Sequence, residues 1–583
     1  MARDFGGSSL VNFFRFSVNK SLPIGRYFMW IMFKDLHLEM KKFWKIGLNI
    51  VLLFLFQESS AQLKHWVEFT DKGPTVSSEL AYVSAKTYQQ RAMLGLPVRQ
   101  PTDIPLYGGY MEALQAVGVT PLVASKWLNA VSARLTPEQV HQLQSFPFIK
   151  AIQIMPGETV LASEVTPPLD DPKTWEGNLV DALRQVHAES FFEAGLTGKG
   201  VAVGILDAGF IDADSSIYLG PLVANGQVLG WRDWVNPDRE DIFRSRETGM
   251  DWHGTGVWQM VAGWDTTTNM YSGLAPDASF YLARTEHGTN EYRGEQDNWI
   301  AALEWLDSLG VRLVNCSLGY SYGFDDPEEN YLPEEMDGRT KIAKAVQLAA
   351  EEKGMILVIS QGNEGNDLTW QYLSTPAEAP GVISVGATNF RVWTRAGYSG
   401  KGPDFLEVVK PDVSVYSTSG TSFSAPVVAG IVAGMLQQDS TLLPAQVQAY
   451  LQASGHSVAL PNNYVGYGVP DCGKLLVMMQ QPIDSIAWPE CATVDVSDLD
   501  GLEFKLVLAD YGFDGETSLA RYHLKADRRT VLAERAYAPG MLTETLFLSR
   551  SKAEIAYSAL VSQTGTCALL TWPQIETESE EGN

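Results

Sequence analysis

Val201-Ala202-Val203-Gly204-Ile205-Leu206-Asp207-Ala208-Gly209 decides the fold. The run from Val201 to Leu206 carries no polar side chain, which is how a strand reads when both of its faces are buried in a parallel sheet covered by helices. Asp207 then emerges at the carboxyl end of that strand, the edge at which open α/β sheets place their sites, and Gly209 lets the chain turn sharply. Four further runs repeat the pattern: Ser279 to Ala283, Val311 to Cys316, Met355 to Ser360 and Val382 to Ala387. Helix-like runs such as Asn298 to Leu309 and Lys341 to Lys353 alternate with them. The expected fold class is therefore α/β, a parallel sheet with helices on both faces.

Two distant segments supply groups that complement Asp207. Asp251-Trp252-His253-Gly254-Thr255-Gly256-Val257 sets an imidazole before small residues that permit close backbone approach, with the apolar, helix-like run Val257 to Trp264 behind it. Ser419-Gly420-Thr421-Ser422-Phe423-Ser424-Ala425-Pro426 leads into a helix whose small residues recur on one face and whose proline sits early, where no amide donor is missed. A hydroxyl is a weak nucleophile until an imidazole takes its proton, and the imidazole needs a carboxylate to fix its tautomer and stabilise its cation. Ser422 at a helix start also gains from the positive end of the helix dipole. Taken singly, each segment has an ordinary reading as a turn or a helix cap. The order Asp, His, Ser sets the three apart from the chymotrypsin order and from that of the α/β-hydrolases.

With these three motifs in agreement, the chain resembles the subtilisin-like (subtilase) serine peptidase family. The resemblance implies a serine endopeptidase hydrolysing peptide bonds, with catalytic Asp207, His253 and Ser422. Met355 to Ser360 runs into Gln361-Gly362-Asn363-Glu364-Gly365-Asn366, and Asn363 matches the position at which the family places the side-chain amide of its oxyanion hole, the backbone amide of Ser422 being the second donor. Val314-Asn315-Cys316-Ser317-Leu318-Gly319 looks like the substrate-binding edge, where the backbone of Ser317, Leu318 and Gly319 would pair with an extended peptide. The chemistry requires no cofactor. Structural calcium is compatible with the resemblance, and no metal ligands are assigned. Ala208, Phe423, Ser424 and Val427 depart from the more usual family residues without removing a reacting group.

Composition narrows the remaining choices. The chain has 583 residues, 45% of them hydrophobic, and a net charge of -26, which argues for solubility and against nucleic-acid binding. No CxxC pair or HExxH segment occurs, so a zinc-dependent mechanism has no support. Of Cys316, Cys472, Cys491 and Cys567, the last two either bridge in an exported protein or remain two buried thiols.

The expected domains run as follows. Met40-Lys41-Lys42, an apolar stretch from Ile46 to Phe56 and Ser59-Ser60-Ala61 have the layout of a secretory signal peptide over 40–61. Export to the periplasm or medium follows, and the apolar stretch is too short for a stable membrane anchor. Residues 1–39 read as a mis-assigned start, the alternative being a genuine extension in which Tyr27 to Phe33 forms an interfacial anchor. Residues 62–155 alternate strand, helix and strand: His65 to Phe69, Trp127 to Leu135, a helix opened by Thr136-Pro137-Glu138, and Phe148 to Ile154. They resemble the inhibitor-type propeptide of the family, which would make the chain a zymogen with its own propeptide as inhibitor; a permanent accessory domain is the other reading. A linker over 156–174 precedes the catalytic domain at 175–480. Short alternating segments such as Phe504 to Leu508 and Glu554 to Tyr557 suggest a small β-sandwich over 481–573, and 574–583 is an acidic tail. Protein or peptide substrates are expected. Two rivals stand beside this reading: a protease-like binding protein with a blocked cleft, and an esterase using the same triad.

Overall fold

A computed structural model describes residues 63–74, 82–155, 179–246, 249–288, 293–324, 327–494, 503–541 and 545–573. The expected extension (1–39), signal peptide (40–61), linker (156–174) and acidic tail (574–583) lie outside the described residues. The described residues belong to one compact unit, Leu63–Asn583. Among them no helix is long and apolar enough to cross a membrane.

The N-terminal module is an antiparallel sheet of β1 (Leu63–Phe69), β2 (Pro121–Ser125), β3 (Ala130–Leu135) and β4 (Ile149–Met155) in the order β2-β3-β1-β4. Thr136 caps the helix Pro137–Leu143 as expected: its Oγ1 accepts from Gln139 N at 3.2 Å, and Gln139 Oε1 accepts from Thr136 N at 3.0 Å. Leu143 and Leu114, the latter on the helix Gly108–Ala116, bury against Val67 and Val131 of the sheet. The strand expected from Trp127 begins only at Ala130. Glu304 takes the amides of Lys126 and Trp127 out of any ladder, and Asn129 turns the chain at a φ of 51°.

The central sheet is built from β5 (Ala202–Asp207), β6 (Val228–Asp233), β9 (Ser279–Arg284), β10 (Leu313–Cys316), β11 (Ile356–Ser360), β12 (Ile383–Thr388) and β13 (Val413–Tyr416), with a two-residue hairpin, β7 (Trp264–Asp265) and β8 (Met270–Tyr271), outside it. Its seven strands run β13-β12-β11-β10-β5-β9-β6, every pair parallel. The period of two along each strand divides its side chains between two cores. Val203 and Ile205 of β5 and Ile356 and Val358 of β11 face the helices His253–Ala262 and Ala425–Gln438; Leu206, Leu357 and Ile359 face Glu295–Ser308 and Lys341–Glu351. Gly204 is small because Leu306 presses on it: a Cβ there would lie 2.5 Å from Leu306 Cδ1. Gly430 and Gly434 likewise admit Leu274 and Phe191 to the face of small residues on the helix Ala425–Gln438. The helix expected to run to Trp264 stops at Ala262, because Gly263 is extended and packed against Gln259 and Ser272, and Trp264 enters β7.

At the C-terminal end, β14 (Ala492–Thr493), β16 (Leu519–Leu524), β17 (Val531–Tyr537), β19 (Tyr557–Ser562) and β20 (Cys567–Thr571) make a five-stranded sheet, and β15 (Glu503–Val507) pairs with β18 (Thr545–Ser549). Leu506 and Leu548 of the pair share a core with Leu519, Leu560 and Leu570 of the larger sheet. The opposite face of that sheet buries Ala520 and Tyr522 against Leu460 and Val465. Cys491 and Cys567 form a disulfide, while Cys316 and Cys472 are buried thiols. The segment Glu554 to Tyr557 is a turn up to its last residue. Arg550 fixes it by donating to the carbonyls of Ala553 and Pro573, and Ile555 is buried from the turn.

Candidate active site

Asp207 ends β5 between β10 and β9, fully buried. Its Oδ1 lies 2.7 Å from His253 Nδ1 and accepts from the amide of Ala208 at 2.8 Å. A carboxylate in that position accepts, so Nδ1 carries the proton and Nε2 is left with a lone pair. The contact depends on two glycines. A Cβ on Gly254 would lie 2.4 Å from Gly209 O and 2.8 Å from Asp207 Cβ, and one on Gly209 would lie 2.7 Å from Asp251. His253 opens its helix and is 7% exposed. Burial works against its cation, yet the charge and hydrogen bond of Asp207 outweigh that cost and hold the imidazole above its ordinary value.

Ser422 lies in the 3-10 turn Thr421–Phe423, directly before the helix Ala425–Gln438. Its hydroxyl donates to Ser317 O at 3.2 Å, and the Ser317 hydroxyl donates back to Ser422 O at 2.8 Å. The neighbouring Phe423 ring stands 5.7 Å from the His253 ring and is stacked on Trp252 at 6.4 Å, so Ser422 sits on a turn that packs against the imidazole. Asn363, an exposed residue beyond β11, is oriented by the residue that precedes Ser422: its Oδ1 accepts from Thr421 N at 2.8 Å and from Thr421 Oγ1 at 3.1 Å. That fixes which end of the amide is oxygen and turns Nδ2 outward as a donor. Leu318 and Gly319 continue from Ser317 between β10 and the bridge of Tyr320 to Thr375, and Gly319 is exposed. Ser374 lies beneath Gly319, where a Cβ would come within 2.9 Å of it.

The structure thus joins Asp207 to His253, Ser422 to Ser317, and Asn363 to the turn that carries Ser422. Behind them lie residues to which the sequence reading gave no role. Arg284, paired in register with Asp207 and fully buried, donates from Nε to Ala208 O at 2.8 Å. Its other nitrogens reach Asp233 at 3.2 Å and Asp251 at 3.4 Å. It therefore ties the turn after Asp207 to the segment that precedes His253. An arginine ending a strand gives no sign of this in sequence, because each partner comes from a different element. Among the described residues no group of three or more His, Cys, Asp or Glu stands together to hold a metal ion.

The chain matches known proteins over both modules. Residues 198–468 match the subtilase family model (Peptidase S8), and residues 64–167 match the Peptidase S8 propeptide domain of Bacteroidota. Subtilisin DY of Bacillus licheniformis is 29% identical over 293 residues, 49% of this chain and 93% of that protein. Subtilisin E of Bacillus subtilis (strain 168) is 26% identical over 339 residues, 56% of this chain and 76% of that protein. Among solved structures, fervidolysin from Fervidobacterium pennivorans, a keratinolytic enzyme related to subtilisin, aligns at 18% identity with a TM-score of 0.46, over 87% of this chain and 71% of that one. Two consecutive modules matched in order, on a seven-stranded parallel sheet flanked by helices, place the chain in the subtilase family of subtilisin-like serine peptidases, with that family's propeptide domain ahead of the peptidase domain.

Proposed function

We propose that this chain is a secreted endopeptidase made as a zymogen, in which Ser422, His253 and Asp207 act as the catalytic triad. The observation that carries the reading is the 2.7 Å contact of His253 Nδ1 with Asp207 Oδ1, made by residues 46 positions apart. It leaves Nε2 to take the Ser422 proton as Oγ attacks the scissile carbonyl. The proton then passes from His253 to the leaving amine, and a water repeats the sequence to release the acyl group. Asp207 stabilises the imidazolium formed between the two steps. Asn363 Nδ2 and the Ser422 amide receive the oxyanion, and Thr421 supports that role by holding the other end of the Asn363 amide. Ser317, Leu318 and Gly319 offer backbone groups to an extended peptide. The Ser422 hydroxyl, now donating to Ser317 O, swings to Nε2 when a substrate amide takes that carbonyl. Nucleophile-to-base hydrogen bonds are commonly looser before substrate arrives. Secretion rests on the signal-peptide layout of residues 40–61.

The test is fluorophosphonate labelling of the purified, processed protein with mapping of the modified peptide. Labelling at Ser422 that disappears in His253→Ala is expected. A folded protein freed of its propeptide that takes no label would leave a protease-like binding protein. Turnover of esters without peptides would make it an esterase.

A further inference from the structure

The propeptide domain docks by two separate devices. Its sheet lies along the flanks of two peptidase-domain helices, Glu295–Ser308 and Lys341–Glu351. There Glu304 accepts from Ser125 Oγ, Lys126 N and Trp127 N, Lys64 pairs with Asp297 at 2.8 Å, and Lys341 stands over the Trp66 ring. Residues 84–103 are outside that sheet and reach the far ends of the same helices. Ser84 N donates to Ser308 O at 2.9 Å, Thr87 Oγ1 to Asp307 O at 2.9 Å, and Gln100 Nε2 to Glu352 O at 2.5 Å. Helix C-termini carry unpaired carbonyls and the negative end of the dipole, so an arm of donors satisfies both.

At the centre of the arm lie four charges, all nearly excluded from solvent. The Arg91 guanidinium binds Asp103 through both terminal nitrogens, at 2.5 and 3.0 Å, and binds both Asp307 oxygens at 3.1 and 3.0 Å. Lys353 closes the cluster from the peptidase domain at 2.9 Å from Asp103. Two charges come from each side of the junction, Arg91 and Asp103 against Asp307 and Lys353, and they sum to zero. A planar guanidinium between two carboxylates is a geometry that a surface pair rarely keeps. Removing one partner of a buried pair is costly because it strands the other.

We propose that the arm Ser84–Asp103 is an ionic latch, built on Arg91 and Asp103 against Asp307 and Lys353, through which the propeptide holds to the peptidase domain once the chain between them is cut. This rests on the zymogen reading above and specifies its regulation. The test needs no catalysis, so failure of the peptidase reading leaves it interpretable. The full chain carrying Ser422→Ala, with a recognition sequence for a site-specific protease inserted after Met155, is nicked, and loss of the fragment ending at Met155 is followed by gel filtration. The unsubstituted arm is expected to keep its fragment. Arg91→Met and Asp307→Asn are each expected to speed release by about 100-fold. The two combined should be no faster than the faster single variant, since both remove one pair. Unchanged release in both variants overturns the proposal and leaves the sheet as the anchor. Should Arg91→Met not fold, hydrogen exchange in the nicked, unsubstituted chain decides. Amides of Ala85–Met93 are expected to exchange no faster than those of β1, and faster exchange there means that the arm is not attached.

Discussion

Replacing Asn363 tests the oxyanion assignment with little risk to the fold. The side chain is exposed, and its Oδ1 takes the Thr421 amide and hydroxyl at 2.8 and 3.1 Å, bonds that water takes over when the side chain is removed. Asn363→Ala should therefore change folding stability by less than about 0.5 kcal/mol. The chemical step loses one of two oxyanion donors, which costs about 2.7 to 4 kcal/mol and lowers kcat on the order of 100- to 1000-fold with KM nearly unchanged. Asn363→Asp separates chemistry from support. Its carboxylate still accepts from Thr421 but has no donor to give and repels the oxyanion. If Asn363 served only to hold Thr421, the Asp variant would keep its rate. If Nδ2 is the donor, it should lose at least as much as Ala. Steady-state kinetics on a peptide anilide, with active sites counted by fluorophosphonate, measures both. An unchanged kcat in Asn363→Ala, or near-normal activity in Asn363→Asp, refutes the assignment.

Three other expectations follow from the same geometry. The imidazole of His253 is held above its ordinary value of 6.5 and must be neutral to act as a base, so the acid limb of kcat/KM should lie above that pH. Asp207→Asn should move whatever activity remains toward a lower limb. In a pH series of urea melts, the pair's contribution to stability should be full below about 6.5 and fall away as pH rises through the raised value. Arg284→Met removes the cation that Asp233 and Asp251 share, leaving Asp233 with Arg239, and should cost about 3 kcal/mol in urea melts, with weaker labelling of Ser422 before any global loss of helix signal. Glu286→Gln should leave the acid limb of kcat/KM where it is, because burial pushes the carboxyl it replaces up and disfavours its charge; a lower limb would show that Glu286 is ionised.

The sheet was legible because buried parallel strands announce themselves. Each of the five strand-like runs became a strand within a residue or two of the expected span. β6 and β13 escaped because Val228–Asp233 is only partly buried and carries Trp231 and Arg232, and because Val413–Tyr416 spans only four residues. The candidate site was readable for a different reason. Asp207, His253, Asn363 and Ser422 each sit where a strand or helix begins or ends, so local sequence places them. The groups that support them were not readable. Arg284 serves Ala208, Asp233 and Asp251, and Arg91 meets Asp307 across 216 positions. Such partners are chosen by tertiary packing, which leaves no periodic trace in either segment.

Carboxyls crowd the carboxyl edge of the central sheet, and the structure keeps them from acting on His253 together. Asp233 and Asp251 are drawn to Arg284. Glu286, two residues beyond β9, feels both burial and the charge of Asp207. Burial pushes its carboxyl up, although Tyr320 OH donates to it at 2.6 Å and Thr285 Oγ1 at 3.0 Å. Through that bond Glu286 keeps Tyr320 in place, and Tyr320 is the residue whose bridge to Thr375 bounds the edge Ser317 to Gly319. Among the described residues Asp207 is the carboxylate hydrogen-bonded to the ring. A second negative charge close to the ring would hold the proton on His253 more tightly and make it a worse base at neutral pH, and burial of Glu286 works against such a charge.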